Sequence, residues 1–264
     1  MNWINAIHQL SGENQSYAIV TILKMEGSAP RDQQAKMVVT PTTTFDTIGG
    51  GNLEYQAIKK SRSLLKKNEG YIGCETFSLG RDLTQCCGGK VELLFEVFPA
   101  CDFQILLFGA GHVGQALIKI LAELPCRVKW IDSRAGQFPR NHDGWENKTN
   151  VEKVVSERPF EFVESCPENA YYLVMTHSHE SDFELCEAIL SRPDIRYCGL
   201  IGSRSKAAKF RSRLSKKGFN ETEISRLTCP MGSIEVPGKT PMEVSVSIAA
   251  ELLSRHHTQD ALAT

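Results

Sequence analysis

Residues 103–132 read FQILLFGAGHVGQALIKILAELPCRVKWID, and the fold of the chain turns on this stretch. An apolar run from Gln104 to Phe108 precedes the glycine cluster GAGHVG. An apolar helical pattern continues through Leu124, and a second apolar run, Cys126 to Ile131, ends on Asp132. Strand, Gly-x-Gly-x-x-Gly, helix, strand and acid, in that order, are the sequence form of a dinucleotide-binding βαβ unit. Gly109 permits the tight turn, Gly111 lets the backbone approach a phosphate, and Gly114 lets the helix pack close on the strand. The helix N-terminus, which begins around His112, then offers unpaired N–H groups and a partial positive charge to that phosphate. Asp132 lies 21 residues after Gly111, where a carboxylate can accept from a ribose hydroxyl. The competing reading is a doubly wound domain that keeps its glycine turn for packing alone.

Working outward, 264 residues accommodate one large domain or two modest ones. A formal net charge of -1 removes the electrostatic case for nucleic acid or an anionic membrane as the main partner. No run approaches the roughly 20 apolar residues that a spanning helix needs. The start, MNWINAIHQLSG, lacks the basic region and apolar core of a secretory signal. With nine cysteines, an odd count, this points to reduced thiols and a cytoplasmic protein rather than a disulfide framework. No spacing resembles a CxxC pair, so a structural zinc site is not expected.

The first hundred residues do not read as a Rossmann half. A short helix, Trp3 to Leu10, is followed by strand character at Tyr17–Lys24, Ala35–Thr40 and Thr44–Ile48. The glycines at 49, 50 and 51 lead into a helix over Asn52–Lys67; Gly50 and Gly51 make either an anion site or a sharp strand-to-helix turn. Strands at Cys74–Leu79 and Val91–Phe98 flank the turn QCCGG, and Pro99 marks the boundary. The expected class is therefore α/β: a smaller α+β domain over residues 1–100, then a Rossmann-like parallel-sheet domain over residues 101–264. In that second domain a polar loop spans residues 133–150, and a strand Tyr171–Met175 is followed by a helix Phe183–Leu190. A strand Tyr197–Ile201 precedes a basic helix Arg204–Lys217 capped by Ser203 and stopped by Gly218. Thr240, Pro241 and Glu243 form a capping box for the last helix.

Ligands of open α/β sheets bind outside the carboxyl ends of the strands, where GAGHVG, THSHESD and IGSR are expected to meet. That places His112, His177, His179, Ser203 and Arg204 beside the glycines as candidate contacts. His177 and His179 form an HxH pair, but Asp182 falls one place late for a metallo-hydrolase motif and no third ligand is evident. Polar contact with a ligand, or a plain turn and helix cap, fits them better. Cys86 and Cys87 could expose a thiolate or serve a soft metal centre, or be a buried structural pair. Arg31, in GSAPR, could contact an anion or be an ordinary exposed arginine.

In order along the chain, GSAPR, IGGGNLE, QCCGG, GAGHVGQAL, THSHESD, GLIGSRSK and GKTPMEVSVSIAAEL resemble the xanthine dehydrogenase accessory protein family (XdhC/CoxI). The resemblance runs from about Gly27 to Leu253. It implies an amino-terminal α+β domain joined to a Rossmann domain, and a role in purine catabolism that is not turnover of a metabolite. Such proteins bind the molybdenum cofactor, a molybdopterin, protect it during sulfuration and deliver it to apo xanthine dehydrogenase. A cysteine desulfurase is the implied sulfur source, and a homodimer the implied assembly. By position, Cys87 matches the cysteine associated with cofactor binding and with possible molybdenum contact; Cys86 is the runner-up. In this reading a thiol of the first domain faces the glycine cradle of the second across a cleft. The reading from another class is an NAD(P)-dependent oxidoreductase using GAGHVG, in which Asp132 favours NAD and Arg134 blurs that choice.

Overall fold

The computed structural model describes residues 1–26, 34–78, 89–139, 150–233, 235–236 and 238–263, with side chains through residue 258. The chain divides into two units, Met1–Ala100 and Cys101–Thr264.

The first unit runs α1 (Trp3–Gly12), β1 (Tyr17–Glu26), β2 (Lys36–Val39), β3 (Thr44–Asp46), α2 (Gly51–Leu65), β4 (Tyr71–Ser78) and β5 (Lys90–Phe98). Its strands form an antiparallel sheet of order β3-β2-β1-β5-β4. Strict alternation in β5 sends Val91, Leu93, Phe95 and Val97 to one face, where they meet Leu53, Ala57, Leu64 and Leu65 of α2. The opposite face carries Tyr17, Ile19 and Val38, which α1 covers with Ala6 and Leu10, two residues one helical turn apart.

The second unit begins with β6 (Gln104–Phe108), α3 (His112–Leu121), β7 (Arg127–Asp132), β8 (Val151–Val155), α4 (Glu161–Glu164) and β9 (Tyr171–Val174). It continues through α5 (His179–Leu190), β10 (Tyr197–Leu200), α6 (Arg204–Lys216), α7 (Glu221–Ser225), β11 (Leu227–Thr228) and α8 (Pro241–Ala263). Every strand pair is parallel and the order is β11-β10-β9-β6-β7-β8. Counted within the unit, that is the doubly wound Rossmann order, with its switch point between β6 and β9.

Each central strand is buried on both faces, which is why its sequence is a continuous apolar run rather than an alternation. Ile105 and Leu107 face α3 and α8, while Leu106 and Phe108 face α5 and α6. Helix α8 lies alongside α3 in the same direction: Ser245 Oγ donates to the Val113 carbonyl at 3.1 Å, and His256 stacks on Phe103 at 4.2 Å. Its capping box is closed, with Glu243 N donating to Thr240 Oγ1 at 3.3 Å and Thr240 N to Glu243 Oε2 at 3.0 Å.

Two differences from the sequence expectation bear on the site. Helix α5 begins at His179, capped by Ser178, four residues before the expected Phe183. Asp182 is therefore inside the helix rather than at its start. The loop after β7 contains a short 3-10 turn, Ala135–Gln137, and β8 follows it at Val151–Val155. Among the described residues no helix is long and apolar enough to cross a membrane.

Candidate functional site

The carboxyl ends of β7, β6, β9 and β10 are adjacent in the sheet, so the segments that follow them lie side by side. Gly109 N donates to the Ile131 carbonyl at 2.8 Å, Met175 N to Phe108 at 2.9 Å and Ile201 N to Val174 at 2.9 Å. The three segments expected to meet at this edge do so, on either side of the β6/β9 switch point.

The glycines of GAGHVG divide by cause. Gly109 has φ +121°, and a Cβ on it would stand 2.2 Å from the Met175 carbonyl oxygen; both the conformation and the contact require glycine. A Cβ on Gly114 would stand 2.2 Å from the Gly109 carbonyl oxygen, so this glycine sets the helix against the turn. Gly111 differs from both. Its φ is -73°, it caps α3 without a side-chain hydrogen bond, and a Cβ there meets nothing within 4 Å. Neither backbone conformation nor close contact requires glycine at 111, where the N-cap position of α3 stands in front of open space. His112 opens that turn and is exposed.

Asp132 closes the other side of the turn. Its Oδ2 accepts from Ala110 N at 2.7 Å and from Arg134 Nη2 at 2.9 Å. Its Oδ1 accepts from Arg134 N at 2.9 Å and Arg134 Nε at 3.0 Å. Burial alone would push this carboxyl up, but the Arg134 guanidinium and the amides of Ala110 and Arg134 hold it below the ordinary value. Trp130 Nε1 donates to the Gly109 carbonyl at 3.0 Å. Gln115 Nε2 links Ala110 O at 3.0 Å to Gln137 O at 2.7 Å. The glycine turn is thus stitched to the β7 loop from two directions.

On the far side, THSHESD and IGSR are joined by a buried ion pair. Lys206 Nζ donates to Asp182 Oδ2 at 2.6 Å and to the Ile201 carbonyl at 2.9 Å. Asp182 Oδ1 also accepts from Thr176 N at 2.9 Å and Thr176 Oγ1 at 2.7 Å. His177 and His179 are exposed beside this pair, and no cluster of three metal-ligating side chains exists among the described residues. Ser203 Oγ accepts from Lys206 N at 3.2 Å and so caps α6, whose first residue, Arg204, is exposed. Sequence reasoning missed Lys206, Gln115 and Trp130, whose partners are set by the fold.

The remaining sequence candidates lie in the first unit. At Gly50 and Gly51 the chain supplies its own anion: Glu54 Oε2 accepts from Ile48 N at 3.1 Å and Gly50 N at 3.0 Å, and from Thr47 Oγ1. Arg31, Cys86 and Cys87 lie outside the described residues.

Comparison with known proteins fits this architecture. The XdhC Rossmann domain model matches residues 105–252, and the XdhC and CoxI family model matches residues 10–77. The chain belongs to the XdhC and CoxI family. Its XdhC Rossmann domain contains the whole carboxyl-edge site, from Gly109 to Lys206. The chain is 27% identical over 262 residues to the uncharacterized protein YqeB of Escherichia coli (strain K12), covering 96% of this chain and 46% of that one. It therefore spans about half the length of the curated relative it matches. A solved structure described as a xanthine dehydrogenase from Bacillus halodurans is similar at 18% identity and a TM-score of 0.49, covering 98% of this chain and 96% of that one.

Proposed function

We propose that this XdhC-family protein binds the molybdenum cofactor, a molybdopterin, supports its sulfuration and delivers it to xanthine dehydrogenase. The observation that carries the reading is the open space at Gly111, where a Cβ would meet nothing within 4 Å, beside the β6/β9 switch point, the place where open α/β sheets bind ligands. A phosphorylated pterin suits it: the amides opening α3 and the Arg134 guanidinium are phosphate donors, and loop amides can meet a polar ring.

Residues Gly109, Gly111, His112, Gly114 and Arg134, with His177, His179, Ser203 and Arg204 across the crevice, would bind and orient the group. Asp132 would hold Arg134 and the turn in place. When bound, the group supplies the molybdenum centre on which the client enzyme's chemistry runs. Cys87, with Cys86 as the alternative, is the proposed thiol contact to that metal, and Arg31 a proposed anion contact. Burial pushes up the thiols of Cys101, Cys126, Cys166 and Cys229, which makes them poor thiolate donors at neutral pH. The proposed partners are apo xanthine dehydrogenase, a cysteine desulfurase and a second copy of the chain, in the cytoplasm.

Protein purified from a molybdopterin-producing host tests the reading through the fluorescence of its oxidised, released pterin. The expected result is stoichiometric pterin, lost in Cys87→Ala, and activation of apo xanthine dehydrogenase by the loaded protein. A second reading, an NAD(P)-dependent oxidoreductase using GAGHVG, is favoured by the complete βαβ unit. Protein without pterin that turns over a nicotinamide substrate would establish that reading and remove the first.

A further inference from the structure

Asp132 stands where a Rossmann acid takes a ribose diol, yet its carboxylate has no acceptor position left. A carboxylate offers about four lone-pair sites. Arg134 N and Nε fill those of Oδ1, and Ala110 N and Arg134 Nη2 fill those of Oδ2, all at 2.7–3.0 Å. The Asp132 side chain is 3% exposed, whereas that of Arg134 is 35% exposed. A diol could bind Asp132 only by displacing a bidentate guanidinium, a charge-assisted pair that a neutral hydroxyl does not match.

Arg134 is also held through its backbone. Gln137 N donates to the Arg134 carbonyl at 2.9 Å, and Gln115 of α3 anchors Gln137 O in turn. Because Ala110 N and Arg134 Nη2 share one oxygen, the guanidinium lies against the glycine turn that opens α3. Its Nη1 has no hydrogen-bond partner among the described residues. An exposed arginine ordinarily loses much rotamer freedom when it grips an anion. Here that freedom is already gone, and Nη1 with the second proton of Nη2 remains, fixed at the end of β7, to meet an anion.

We infer that Arg134 is the specificity-determining residue of this crevice, and that the position at the end of β7 takes a phosphate group and not an unphosphorylated ribose diol. Asp132 is the positioning residue behind it. The inference rests on the carboxyl edge being the ligand site, as proposed above, but not on the ligand being a pterin. The phosphate can come from a phosphorylated pterin or from a nucleotide carrying a 2′-phosphate, and the chemistry recognised is the same.

Calorimetric titration of the full-length protein, stripped of ligand, with two pairs of compounds tests it. One pair is 2′,5′-ADP and 5′-AMP; the other is the oxidised pterin with and without its phosphate. In at least one pair the phosphorylated member is expected to bind about tenfold tighter or more, the scale of a charge-assisted contact. The discriminating pair identifies the source. Arg134→Gln is expected to abolish the difference, and Arg134→Lys, which keeps the charge but not the fork, to restore part of it. Circular dichroism establishes that each variant is folded, and Arg134→Lys alone decides if Arg134→Gln unfolds, with weakened discrimination the expected result. Equal binding within both pairs, binding of neither member of either pair, or discrimination undiminished in the folded variants would overturn the inference. Nucleotide discrimination by a protein that carries no pterin from its host would refute the proposed function and leave Arg134 standing. Pterin retained without phosphate discrimination would do the reverse.

Discussion

Replacing the glycines of GAGHVG one at a time separates what they do for the fold from what they do for a ligand. In Gly114→Ala the new methyl meets the Gly109 carbonyl oxygen at 2.2 Å, and a backbone atom in a packed turn cannot swing aside. Overpacking of this kind costs about 3 kcal/mol, which in a unit of this size lowers the melting temperature by about 6–12 °C. Gly109→Ala makes an equal clash with Met175 O and adds a positive φ, for about 1–2 kcal/mol more. Gly111→Ala meets nothing within 4 Å at φ -73°. It gains about 0.4–1 kcal/mol from the unfolded chain and gives up glycine's advantage over alanine as a helix cap. Its net change in stability stays within about 1 kcal/mol. Yet its methyl stands where a phosphate must come close to the amides of α3, so affinity for the phosphorylated ligand falls about ten- to hundredfold. Guanidinium denaturation followed by circular dichroism reads the first quantity, and calorimetry or retained pterin the second. If Gly111→Ala melted like Gly114→Ala, or kept its ligand at full affinity, the division would be wrong.

Other outcomes follow from the same geometry. Asp132→Asn removes a carboxylate with four donors, three of which belong to the partly exposed Arg134, and costs about 2 kcal/mol at neutral pH. Because the carboxyl is held below its ordinary value in the folded state, its contribution is present at neutral pH and lost as acid takes the pH down through that lowered value. A denaturation series from pH 7 downward, in which wild type approaches the variant only in acid, checks this; a constant gap would contradict it. Lys206→Met leaves the carboxylate of Asp182 buried without its cation and costs about 3–5 kcal/mol. Asp182→Asn/Lys206→Met costs less than the sum of the two single changes, and additivity in the double-mutant cycle would refute the pairing. Cys126, pushed up to about 12 by burial and then by its neighbour Cys101, resists iodoacetamide in the native protein at pH 8, while exposed Cys74 is alkylated. Peptide mass spectrometry after brief labelling decides it.

The strand–glycine–helix–strand unit was legible because local chemistry and global fold ask for the same residues there: apolar runs for a two-sided sheet, and glycine where the turn meets Met175. The Ser203 cap of α6 and the capping box of α8 were legible for the same reason. Strand β8 was not, because it lies at the sheet edge with most of its side chains exposed and so has no apolar run. Helix α5 was placed late because its first turn, His179–Asp182, is polar, and helical periodicity becomes visible only at Phe183. The box formed by Asn220 and Glu223 at the start of α7 was a readable signal that went unused. At the site, the sequence offered Asp132 as a ribose acceptor. That Arg134 folds back to saturate it depends on the loop geometry fixed by Gln115 and Gln137, which no spacing rule contains. Likewise the glycines before α2 looked ready for an external anion, and Glu54, one turn into the helix, occupies the amides of Ile48 and Gly50.

Amide hydrogen exchange tests the central claim most directly. The same chain is prepared from a host that makes molybdopterin and from one that cannot, and exchange is followed peptide by peptide. Slower exchange over residues 109–115 and 132–137 in the loaded protein, with the remainder of the Rossmann sheet unchanged, is the expected result. Identical exchange over those two segments, with pterin bound, would place the cofactor elsewhere.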